Sequence, residues 1–230
     1  MRRTGFWLAA LLFPLSATAS PVPFDFSTLT PGLHGSSLTQ GTVTADGFLT
    51  DLVTTEPLWV RDDDPDDHGL GVCSEGDSCA TGGGDVNELS NQAHPEAIRL
   101  TMPAGSTWTE LWVSSLDSGG SNSNESGILF WSTSPTSFTM ANSFKFSFND
   151  LGDAEGNILA LSQASTFLST GSTNRYLLFT NDSSNGSNND YLVWKGVIDT
   201  PQHEAPEPAT VALLGMALAG LSLFRHRSMR

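Results

Sequence analysis

Between Pro21 and Thr200 the strongest regularity in this 230-residue chain has a period of two, which calls for strands rather than helices. Phe138, Met140, Phe144, Phe146 and Phe148 fall on one side of an extended segment, and Thr139, Ser143, Lys145, Ser147 and Asn149 on the other. Only Asn142 interrupts the apolar row. Ile98, Leu100 and Met102 alternate with Ala97, Arg99 and Thr101 in the same way. Short apolar runs at 128–131, 176–179 and 191–193 suit strands buried on both faces, and 42–49 and 108–116 read as further strands. Turn-forming residues separate these runs at 103–105, 118–126, 149–156 and 181–190. Strands at this spacing predict one antiparallel β-sandwich of jelly-roll type over residues 20–200. Segment 157–168 is also compatible with a short helix. No internal repeat is evident, which argues against a solenoid or propeller.

Composition excludes several functions. Aromatic residues at 9% and apolar residues at 38% are too abundant for a disordered acidic chain. The formal charge is −15, and five of the ten basic residues lie at the ends: Arg2, Arg3, Arg225, Arg227 and Arg230. Between them five basic residues face 25 acidic ones, a net of −20. That field repels phosphate backbones and anionic lipid and attracts cations, so nucleic acid is excluded as a partner.

Both ends read as addresses. Arg2 and Arg3, the apolar run 6–15 and the small residues Ala17 and Ala19 make residues 1–19 a secretory signal peptide, with signal peptidase expected to cut after Ala19. Residues 201–230 hold Pro206, Glu207 and Pro208, then sixteen uncharged residues at 209–224, then Arg225 and Arg227. Such a segment is a transmembrane helix near the lower length limit, with its basic end cytoplasmic. The two prolines keep its entrance extended and accessible.

A Pro-Glu-Pro tripeptide, an apolar helix and a basic tail in this order resemble the PEP-CTERM sorting signal. The resemblance covers about the last 25 residues. It implies transient insertion in the inner membrane, processing near Pro206–Pro208 by exosortase (a membrane-embedded, cysteine transpeptidase-like enzyme), and delivery to the surface or matrix of a bacterium that makes exopolysaccharide. It assigns sorting and leaves the passenger's activity open.

Within the passenger, 61–90 is the least strand-like stretch and the most chemically loaded. Asp62, Asp64 and Asp66 copy the first three ligand positions of an EF-hand, but Asp67 stands where glycine is needed and Cys73 where a bidentate Glu is needed. An EF-hand is rejected; a looser Ca²⁺ site and a merely solvated acidic loop both remain. Export places Cys73 and Cys79 in an oxidising compartment, where a disulfide between them is the expectation. The stretches 69–73, 85–88 and 96–100 resemble a pattern that recurs in PEP-CTERM passengers. That resemblance implies a shared structural or cation site for Asp85, Asn87, Glu88 and Glu96.

No nucleophile–base constellation, zinc-protease helix, P-loop or dinucleotide fingerprint occurs, and His68 and His94 stand singly, so a non-catalytic protein is expected. Paired carboxylates of a glycan hydrolase are the residual enzyme reading. Two binding readings follow. One is a surface or matrix component supplying mass, charge and cation bridging. The other is a carbohydrate-binding module using Trp59, Trp108 and Trp112, with Trp131 and Trp194 placed in the core because they sit in apolar runs.

Overall fold

The computed structural model describes residues 19–64, 67–74, 87–90, 94–116, 125–147, 159–160, 171–183, 190–201 and 213–218. By its contacts the chain divides into two units, Ser20–Thr200 and the two ends, Met1–Ala19 with Pro201–Arg230.

The described residues of the larger unit are mainly β, in strands β1 (Ala19–Asp25), β2 (Gly32–Leu33), β3 (Ser37–Gln40), β4 (Val43–Leu49), β5 (Leu58–Asp64), β6 (Asp67–Val72), β7 (Glu96–Thr101), β8 (Thr107–Ser114), β9 (Ser126–Ser132), β10 (Ser143–Ser147), β11 (Leu159–Ala160), β12 (Tyr176–Asn181) and β13 (Leu192–Pro201). One sheet runs β11-β8-β13-β6-β5-β2, with β1 also paired to β13; the other runs β10-β9-β12-β7-β4-β3. From β6 to β9 the chain changes sheet at every strand, and it does so again from β10 to β13.

Alternation builds the core between the sheets. Leu58, Val60, Leu70, Trp108, Leu111 and Val113 from the first sheet join Val43, Ile98, Leu100, Leu129, Leu177 and Phe179 from the second in one buried cluster. The strand β12, paired with β7 on one side and β9 on the other, buries Leu177, Leu178 and Phe179 in succession, as its unbroken apolar run requires. Leu178 faces outward into a smaller cluster with Phe48 and Ala97.

Two expectations change. The row 138–148 is not one strand: a 3-10 turn at Met140–Asn142 precedes β10, at the point where Asn142 breaks the pattern. The turn leaves Met140 exposed and seats Phe138 against the small outer cluster, while Phe146 enters the main core. Within 157–168, the described residues Leu159 and Ala160 pair as a strand with β8 rather than forming a helix. At the C-terminus, 213–218 is helical with Leu213, Leu214, Met216 and Leu218 exposed. Among the described residues no helix is long and apolar enough to cross a membrane. The rest of 209–224 lies outside them, as do 1–18 with Ala17, Pro206–Pro208, Arg225 and Arg227.

Candidate functional site

The acidic run lies at the end of a β-hairpin, not in an irregular loop. Asp62 pairs with His68 across β5 and β6 and Asp64 with Asp67, with a register shift between the two pairs. The hairpin also carries partners for its carboxylates, the His68 imidazole and the Arg61 guanidinium. His68 Nδ1 lies 2.7 Å from Asp62 Oδ1, and Arg61 Nη2 lies 2.8 Å from Asp67 Oδ2. Asp66 and the side chain of Asp64 are outside the described residues.

Beside the hairpin, the backbone of 87–90 bonds to the end of β6 and to Tyr191, the residue before β13. Val72 donates its N–H to the Glu88 carbonyl at 3.4 Å, and Leu89 donates to the Tyr191 carbonyl at 2.9 Å. Glycine at 71 makes this approach possible, because a Cβ there would stand 1.9 Å from the Asn87 carbonyl oxygen. At Gly69, φ +134°, a Cβ would stand 2.5 Å from the Val193 carbonyl oxygen. The Gly-Leu-Gly stretch that stands out in the sequence is thus the seat for the segment that follows it.

This strap buries its carboxylate. Glu88 is 3% exposed, with Oε1 in contact with Arg61 Nη1 and accepting from Ser115 Oγ at 3.0 Å. Ser115 holds that position with φ at +60°, a conformation few non-glycine residues adopt. Burial, and then the Asp190 carboxylate, hold the Glu88 carboxyl well above its usual range, outweighing Arg61 and Ser115. Glu96 is buried separately and accepts the Ser90 N–H at 2.7 Å, closing the turn before β7. Asn87 is buried, its Oδ1 without a hydrogen-bond partner among the described residues, and Asp85 lies outside them. Among the described residues no group of three or more His, Cys, Asp or Glu side chains is arranged to hold a metal ion.

Cys73 follows β6, half-buried, with its N–H donating to the Pro57 carbonyl at 2.9 Å. No described cysteine is free, and Cys79 lies outside the described residues.

The tryptophans sort differently from the sequence reading. Trp108 is fully buried, edge-on to Phe24, with Nε1 donating to the Asn174 carbonyl at 2.8 Å. It is a core residue and cannot meet a sugar. Trp131 is buried as expected, while Trp59 and Trp112 are half-buried. Trp194, assigned to the core because it sits in an apolar run, is half-exposed instead. Val193 pairs with Val113 and Lys195 with Trp112, so Trp194 is the extra residue of a β-bulge. The bulge leaves both Trp194 and Lys195 half-exposed instead of driving Lys195 into the core. Lys195 Nζ then sits 3.6 Å from the Trp194 ring centre and 5.5 Å from that of Trp112, and His68 stacks on Trp194 at 5.4 Å. Period-two reading could not find this group, because the bulge shifts the period. His94 is exposed.

These observations define a β-sandwich passenger with a buried acidic strap and an aromatic–cationic group beside it. Residues 204–228 match the PEP-CTERM protein-sorting motif. The motif marks an exported protein with a membrane-anchoring C-terminal signal that is a substrate of exosortase. Comparison of the chain with curated proteins and with solved structures finds no match.

Proposed function

We propose that this protein is a non-catalytic component of the cell surface or extracellular matrix of an exopolysaccharide-producing bacterium, released from its membrane anchor by exosortase. The supporting observation is the sorting motif at 204–228, placed directly after a β-sandwich that ends at β13. The order in which β6 to β13 occupy the two sheets is that of a jelly roll, β6-β13-β8-β11 facing β7-β12-β9-β10, with β1 to β5 extending both sheets. We read the passenger as that fold. Its role is mass, negative charge and cohesion, with Ca²⁺ bridging as the use of the acidic surface and a Cys73–Cys79 disulfide holding the loop after β6.

Mass spectrometry of surface material tests the reading. It should find a chain that starts near Ser20, ends close to Pro206–Pro208 and has Cys73 linked to Cys79. A surface population that keeps Arg225–Arg230 would overturn exosortase processing, and free thiols would remove the disulfide.

A second reading, recognition of matrix glycans, is favoured by Trp112 and Lys195 on the outer side of β8 and β13. An aromatic face beside a hydrogen-bond donor is what a pyranose ring requires. Trp59 stays in this reading, Trp108 leaves it, and Trp194 joins as the support beneath Lys195.

A further inference from the structure

Strand β1 begins at Ala19, the residue after which signal peptidase is expected to cut, and the strand it pairs with is β13, the last of the passenger. Thr200 Oγ1 donates to the Ser20 carbonyl at 3.3 Å, and the Phe24 ring lies where a Cβ on Gly196 would fall. Phe24 and Phe26 anchor the far end of β1 in the core, 3% and 0% exposed. The Ala19–Ser20 bond is therefore the first link of a paired strand. A protease takes its substrate as an extended segment with free backbone groups, and pairing in a sheet uses those same groups. Pro21 and Pro23 keep this segment extended whether or not it is paired, and they suit a strand at a sheet margin.

We propose that the N-terminal segment has two mutually exclusive partners, signal peptidase and β13, and that signal removal must precede closure of the first sheet. This rests on the export reading above. The chain order favours the peptidase: β13 starts at Leu192, so at about 5–20 residues per second it appears roughly 10–35 s after Ser20. Once β13 docks, any signal peptide not yet removed is retained on a folded passenger. The processing order is thus N-terminal cleavage, sheet closure, then C-terminal cleavage.

The test uses the full-length precursor, purified in detergent and incubated with type I signal peptidase. Folded precursor should be cut on the order of tenfold more slowly than precursor diluted from urea immediately before the assay, since cleavage must wait for local opening of β1. Phe24→Ala, which removes an anchor of β1 and leaves the peptidase site intact, should restore fast cutting while circular dichroism still reports strand structure. Should that variant fail to fold, the comparison of folded with freshly diluted wild type decides alone. Equal rates for those two overturn the proposal. Failure to cut either one removes the cleavage site itself, and it leaves exosortase sorting, read at the other end of the chain, standing.

Discussion

Replacing Gly71 with Ala tests whether the strap 87–90 is seated on β6 as described. The added Cβ would meet three backbone atoms, Asn87 O at 1.9 Å, Glu88 Cα at 2.5 Å and Asn87 C at 2.6 Å, none of which can swing aside as a side-chain tip can. Two responses are open. If the strap stays, the overlap is overpacking against main chain, at or above the upper end of the 1–3 kcal/mol usual for such changes, so about 3 kcal/mol. If it lifts, two backbone hydrogen bonds are lost at about 1 kcal/mol each, and Leu89, fully buried, is exposed at roughly 1.5–3 kcal/mol. Both routes give a loss of about 3 kcal/mol or more. In a domain of this size that lowers Tm by roughly 6–12 °C. Gly35→Ala is the matched control: nothing lies within 4 Å of its Cβ position, and it should change stability by no more than about 0.5–1 kcal/mol. Thermal melts of the mature protein followed by circular dichroism read both. A Gly71→Ala protein that melts within about 1 °C of wild type would refute the packing of the strap on β6.

Three further outcomes are expected. Because the Glu88 pKa is raised in the folded state, from its ordinary value of 4.5 up to that raised value the folded protein holds a proton that the unfolded chain has released, so stability falls as pH rises through this window. Glu88→Gln should flatten that part of the stability–pH curve, and chemical denaturation showing the same slope in both proteins would contradict it. Calcium at roughly 10 mM, if taken up at a Kd of about 10⁻⁴–10⁻³ M, should raise Tm by about 3–12 °C beyond NaCl of equal ionic strength; equal shifts would remove calcium from the proposed function. In affinity electrophoresis through neutral polysaccharide, Trp112→Ala and Lys195→Ala should lose retardation that Val53→Ala, altering an exposed turn, retains; unretarded wild type would end the glycan reading.

Most strands were legible because their pattern is local. Ile98, Leu100 and Met102 alternate within five consecutive residues, and the unbroken run 176–179 marks a strand covered on both faces. The sorting signal was legible for the same reason, since a tripeptide, an apolar stretch and basic residues need only be contiguous. The candidate site was legible in part. The stretches 69–73 and 85–88 stood out by resemblance to a recurring passenger pattern, but nothing near them in sequence says that Gly71 is the seat for Asn87 or that Arg61 meets Glu88, 27 residues away.

Local pattern thus determined the β class and the sorting motif at 204–228. Tertiary structure alone decided that the acidic run is a hairpin matched by Arg61 and His68, and that Trp108 is core while Trp194, bonded to Ser27 from 167 residues away, borders solvent. It also decided that the first strand closes against the last. The physical reason is register. A bulge or a pairing partner distant in the chain reverses which side a residue faces, and neither leaves a mark on the neighbouring letters.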